Sequence, residues 1–348
     1  MKQRYSIKVK AGAAAWILAV STALAGCGAG SESRSAAANS EAAPVQTQDT
    51  SSTANQSPAE QSAAAGTASK SETRTVRGEF GDVNIPAHPK RPAGIYLEDY
   101  MVALGVKPIV QWYHPNWGIQ DYLKLDVPQF DISGSPEAML AQQPDLIMLD
   151  GGMDQTAYET YSKIAPTYRL PQDVLEDPRK VLLAVADALG IPEKGKQVLE
   201  NYDQTAAESK AKLEQSAKGE TVTVLRLNGA DKTMALFGVK NSYTGTIYSE
   251  LGLTPHPMVG EMQDYQAIIS EEGLAELDAD HLFIFPARGD WDSEENQEAK
   301  KLLERPIWKS LKAVKEGHVY VVERSYWQSG GIQANLLKFA DVVKHMAP

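Results

Sequence analysis

Three arginines in the C-terminal half each follow an apolar run. Arg226 comes after residues 221–225, Arg288 after 281–285 and Arg324 after 319–322. An arginine just past the end of a strand presents a planar fork of donors at the sheet edge. That fork fits the oxygens of a carboxylate or of another oxygen-rich anionic group. The alternative for each is a solvated arginine or an ion pair within the protein. In the N-terminal half an aromatic run, Trp112-Tyr113-His114-Pro115-Asn116-Trp117, directly follows a short apolar stretch. Pro115 and the adjacent Gly118 make it a poor helix, and its flat rings suit a cleft wall that packs on the apolar parts of a large ligand. The competing reading is that one or two of these rings fill the core. Tyr243 and Trp291 are further aromatic candidates, whereas Trp308 stands in a short helix facing a sheet and reads as structural.

Metal and catalytic chemistry find less support. The six histidines are scattered without a His-x-x-x-His spacing, and the single cysteine, Cys27, has no partner for a disulfide or a thiolate site. His114 or His281 would need distant partners to hold a metal. There is no Gly-x-Ser-x-Gly elbow and no phosphate loop ending in Gly-Lys-Ser or Gly-Lys-Thr, so neither hydrolysis nor ATP turnover is expected of this chain. Glu137 and Glu272 each lie near a helix start in different halves, shortly after Ser135 and Ser270, where the helix field favours an acid.

The elements that position these residues begin well into the chain. Lys2, Arg4, Lys8 and Lys10 precede a mostly apolar run, 11–25, in the order of a secretory signal. That run falls short of the roughly 20 residues needed to span a bilayer. Its Leu-Ala-Gly-Cys end resembles the lipobox of bacterial lipoproteins, which implies a signal peptide over 1–26 and lipid on Cys27. Without the leader the chain carries 30 basic against 45 acidic residues, a net charge near −15, and no nucleic-acid partner is expected. Residues 28–75 hold Val45 as the one apolar side chain larger than alanine, so 27–75 is expected to be a disordered tether.

From Val76 onward strands and helices alternate. A hairpin is expected to turn at Gly81-Asp82, with strands at 93–97, 108–110 and 146–149 and helices ending at Gly105 and spanning 136–142. Helices over 181–188 and 198–215 follow. Strands at 221–225, 235–237, 281–285 and 319–322 then alternate with helices at 246–251, 306–314 and 332–346. This is an α/β pattern with parallel strands. It predicts an N-terminal lobe over 76–173, a helical link over 174–216, a C-terminal lobe over 217–348 and a ligand cleft between the lobes.

Several segments resemble the siderophore-binding branch of the substrate-binding proteins that serve bacterial ABC importers. They are Ile85-Pro86-Ala87 to Pro89-Lys90-Arg91, Leu104-Gly105-Val106-Lys107-Pro108, Glu137 through Pro144-Asp145-Leu146-Ile147, Leu225-Arg226, Ala279-Asp280-His281, Pro306-Ile307-Trp308 and Trp327 to Asn335. Pro92-Ala93-Gly94-Ile95 departs from the β-branched residues usual there. The resemblance implies the class III architecture, two Rossmann-like lobes joined by a long helix, in a monomer. It implies a receptor, not an enzyme, for a ferric siderophore of the hydroxamate or citrate-hydroxamate kind, its iron held by the chelator and no cofactor of its own. The alternative within the fold is cobalamin or haem. It further implies that Arg226 and Trp327, beside Gly330-Gly331, touch ligand. Glu137 and Glu272, or Glu271 in place of the latter, would meet arginines on an ABC permease dimer whose cytoplasmic ATPase drives release.

Overall fold

The computed structural model describes residues 72–347; the leader, Cys27 and nearly all of the expected tether lie outside them. Strands β1 (Thr73–Gly78) and β2 (Gly81–Pro86) form an antiparallel hairpin with Gly78 opposite Gly81. The turn is therefore Glu79-Phe80, not Gly81-Asp82. The first strand also starts three residues before Val76, because Arg74 is anchored by Asp187 at 3.1 Å and carries the pairing back to Thr73.

The first lobe holds β3 (Pro92–Ile95), β4 (Gln111–Tyr113), β5 (Gln129–Asp131), β6 (Leu146–Leu149) and β7 (Thr167–Arg169). Parallel pairing gives the order β3-β6-β7, with β4 and β5 as a second parallel pair. The apolar run of β6 is wholly buried, as expected for a strand covered on both faces. Residues 108–110 are not a strand. Pro108 has no N–H to give, Ile109 donates to the Pro92 carbonyl, and pairing starts only when Gln111 meets Gln129.

Two helices lead out of this lobe, Pro178–Ala188 and the 25-residue Pro192–Ser216. The second is about 37 Å long at 1.5 Å per residue. Gly195, Tyr202, Ala206, Ser209 and Leu213 make its buried stripe, against the preceding helix and the C-terminal helix Ile332–Met346. It starts earlier than the periodicity suggested because proline is well suited to a first helical turn.

The second lobe is a six-stranded mixed sheet of β8 (Thr221–Asn228), β9 (Thr233–Phe237), β10 (Thr254–Pro255), β11 (Gln266–Ile269), β12 (His281–Pro286) and β13 (Val319–Val321). Its order is β11-β9-β8-β12-β13, with β10 beside β8; β8, β10, β12 and β13 are parallel, and β9 and β11 antiparallel to their neighbours. The helix expected over 306–314 is two short helices, Pro306–Lys309 and Lys312–Glu316, separated at Leu311, whose backbone is extended.

The lobes meet at a buried carboxylate. Asp99, in the helix Glu98–Ala103, accepts the backbone N–H groups of Gln333 (2.9 Å) and Ala334 (3.0 Å) in the first turn of the C-terminal helix. Tyr122 donates to the same carboxylate at 2.7 Å and lies 3.0 Å from the Ser329 hydroxyl. A carboxylate on a helix N-terminus satisfies orphan donors and meets the positive end of the helix dipole. The approach is possible because Gly331 lacks a side chain: a Cβ there would stand 2.1 Å from Asp99 Cγ. Gly331→Ala should therefore lose about 1–3 kcal/mol in urea denaturation, the usual cost of overpacking. Wild-type stability would show that the contact is not tight.

Candidate ligand-binding cleft

A cleft of about 1450 Å³ opens between the lobes, lined from the first lobe by Tyr96, Trp112, His114, Trp117 and Asp150 and from the second by Tyr243, Arg324 and Gln328–Gly331. Strand alternation sorts the aromatic run: Trp112 and His114 share one face of the chain and reach the cleft, whereas Tyr113 does not line it. Trp112 is 8% exposed and packs against Tyr96 with ring centroids 4.7 Å apart. Trp117 is 51% exposed and stacks on His114 at 4.0 Å. The run thus divides, with Trp112 anchored in the wall and Trp117 offered to solvent.

Of the three arginines, Arg324 lines the cleft. Its Nε donates to the Ala287 carbonyl at 2.9 Å and its Nη1 to the Trp117 carbonyl across the cleft at 3.3 Å. Arg226 is not past the end of a strand: β8 continues to Asn228, so the residue sits within the sheet with its guanidinium 5.6 Å from the Phe237 ring. It lies just outside the lining, half-buried, and its buried Nε has no hydrogen-bond partner. Burial holds both guanidiniums below their ordinary range, and the Arg226 charge adds to that effect at Arg324. Arg288 is exposed and away from the cleft.

Trp327 corrects the expectation most clearly. It is fully buried, stacked on Phe283 at 4.9 Å, and its Nε1 donates to Asp341 at 2.8 Å. The residues after it, Gln328 to Gly331, form the lining instead. Trp308 is buried as expected, and Trp291 borders a separate recess of about 280 Å³. His281 is buried, between Glu220 at 2.8 Å and Tyr320 at 3.0 Å. Glu137 and Glu272 are exposed on the first and second lobes. Glu271 is paired with Arg305, which leaves Glu272 as the accessible member of that pair.

Residues 102–326 match the sequence family described as periplasmic binding protein. The chain belongs to this family. A probable siderophore-binding lipoprotein of Bacillus subtilis, YfiY, is 31% identical over 285 residues, covering 76% of this chain and 85% of the relative. The iron(3+)-hydroxamate-binding protein FhuD of the same organism is 31% identical over 267 residues, covering 72% and 79%. Among solved structures, a FhuD fold-family component of a Fep/Fec-like ferrichrome ABC transporter from Bacillus subtilis superposes with a TM-score of 0.65 at 25% identity, over 78% of this chain and 99% of that one. Staphylococcus aureus SirA complexed with staphyloferrin B gives 0.64 at 21% identity, over 78% and 98%, and supports the fold.

Several residues that shape the cleft of this binding protein escaped the sequence reading: Tyr96, Asp99, Glu98, Tyr122, Asp150 and Arg179. The one available signal was Asp150-Gly151-Gly152 after a buried strand, since open α/β sheets bind ligands beyond the carboxyl ends of their strands. Glu98 holds the wall in place: its Oε1 accepts the backbone N–H of Trp112 at 2.8 Å, while Oε2 is buried without a partner. Burial pushes this carboxyl up to about 8, from an ordinary value of 4.5. A raised folded value means that its contribution to stability is fully present below about 4.5 and is lost as pH rises through about 8. The loss is at most about 1.4 kcal/mol per pH unit for one proton. Glu98→Gln keeps the acceptor and removes the proton, so its stability should fall less than that of the wild type between pH 5 and pH 8 in urea titrations. Parallel pH profiles would contradict the assignment.

Proposed function

We propose that this protein is an extracytoplasmic solute receptor that takes a ferric siderophore into the cleft between its lobes and delivers it to an ABC permease. The observation that carries the reading is the cleft. At about 1450 Å³ it exceeds the roughly 300–1,000 Å³ of a drug-sized site, and its walls combine flat aromatic surface with a cationic edge. Such a site suits a bulky chelate whose metal already has its ligands. The iron's coordination shell then comes from the chelator, and the protein recognises the finished complex. Relatives at 31% identity are named for siderophore and iron(3+)-hydroxamate binding, which favours a ferric siderophore over cobalamin or haem.

Capture requires no bond to be made or broken. The chelate packs against Trp112 and Trp117, and its outward oxygens face Arg324, with Arg226 behind adding positive potential. Delivery belongs to the same reading: Glu137 on one lobe and Glu272 on the other dock on the two permease subunits, and a cytoplasmic ATPase supplies the energy. Lipid on Cys27 keeps a monomeric receptor at the outer face of the cell membrane, with the segment after it as a tether. Two or more acyl chains hold where one would not.

Tryptophan quenching with a panel of ferric and metal-free siderophores tests the ligand class. One ferric chelate should bind at least tenfold more tightly than its metal-free form, about 1.4 kcal/mol. Arg324→Ala and Arg226→Ala should each weaken that binding about tenfold, and wild-type affinity in both would remove the arginines from the site. Docking is read separately. Cells carrying the Glu137→Ala, Glu272→Ala double variant should lose most siderophore-dependent iron uptake, while the purified variant titrates with chelate like the wild type. Undiminished uptake would place the permease contact elsewhere.

A further inference from the structure

The cleft also carries an anionic region opposite in sign to its arginine edge. Asp150 follows β6 directly and lines the cleft, and among the described residues its carboxylate accepts only the Gly152 N–H, at 2.8 Å. Among the described residues no lysine, arginine or histidine forms an ion pair with it. Arg169, the cation whose charge it feels, is turned to the carbonyls of Leu170 and Gly151 and to Gln172. Arg179 on the same side is already gripped by Glu250, at 2.5 and 2.7 Å, and by Asp203 at 2.8 Å.

Gly152 and Tyr96 stand close beside this carboxylate. A Cβ on Gly152 would crowd Asp150 Oδ1 at 3.2 Å and lie 3.7 Å from Cε2 of Tyr96, so only bare backbone fits beside the carboxylate and it stays uncovered toward the cleft. Tyr96 is itself held there, at φ 63° and against Trp112. Tyr243 borders the cleft from the other lobe, and burial first and the Asp150 charge second push both tyrosine hydroxyls up. Burial likewise raises the Asp150 carboxyl to about 6, and the Gly152 N–H and the Arg169 charge offset that rise only in part. A carboxylate with aromatic rings nearby is a chemistry that can recognise an alkylammonium group.

We infer that the Asp150 carboxylate, with Gly152 and Tyr96 beside it, is a subsite for an ammonium-bearing arm of the ligand. The cleft is then polar along its length, taking the chelate's oxygens at the Arg324 edge and a free amine at Asp150. The inference rests on the receptor reading and narrows it to ferric chelates that carry a cationic arm.

The test uses two linear ferric trihydroxamates that differ only in a terminal amine, free in one and N-acetylated in the other, titrated against the purified protein by tryptophan quenching. The wild type should prefer the free amine by about tenfold or more, and in Asp150→Asn the two chelates should bind alike. Equal affinity of the wild type for both, or a preference that survives in Asp150→Asn, overturns the subsite and leaves the receptor intact. If neither these nor any other ferric chelate binds, the receptor reading fails and the subsite fails with it.

Discussion

The cleft exists in its present shape because one buried carboxylate joins two halves of the molecule. Asp99 leaves a first-lobe helix and seats on the first turn of the C-terminal helix, where two backbone N–H groups and the Tyr122 hydroxyl satisfy it. Burial raises its carboxyl, and those three donors with the Lys338 charge work against the rise. An isolated buried carboxylate would be costly, whereas one on a helix N-terminus is partly compensated. Gly331 lets the backbone come close enough for this, so conformational choice and electrostatics act at the same place.

A second buried charge extends the same framework. Lys338, on the C-terminal helix, is wholly buried and donates to the carbonyls of Tyr243 and Ser329, and burial lowers its ammonium to about 7. One side chain thereby ties two lining segments to the helix that Asp99 caps. The cleft base is rigid for a physical reason: moving either segment would leave a polar group of the interior without its partner.

This rigidity separates the tasks of the cleft walls. Trp112 and Tyr96 pack on each other, Trp117 remains half exposed, and Arg324 lines the cleft from one lobe and Asp150 from the other. A ligand held at both points, as proposed above, would be oriented as well as enclosed, because opposite potentials at separate points disfavour a reversed pose.

Much of the architecture could be read from pattern. Buried runs such as 146–149 and 281–285 marked parallel strands, and amphipathic spacing marked the Ile332–Met346 helix at both ends, since burial on two faces or one leaves its period in the residues. The order of short motifs carried the family. The site was less legible. Trp327 and Gln328 are neighbours in sequence, yet one fills the core and the other lines the cleft. Arg226 looked like a strand terminus because pairing with β9 over Arg226–Asn228 depends on a partner that periodicity does not reveal. Residue types alone therefore determined two α/β halves, a helical link and a chemistry of arginines and rings. Only the tertiary structure decided which arginine lines the cleft and which carboxylates cap a helix, are buried or stand unpaired. Those outcomes turn on desolvation and on partners brought in from distant parts of the chain.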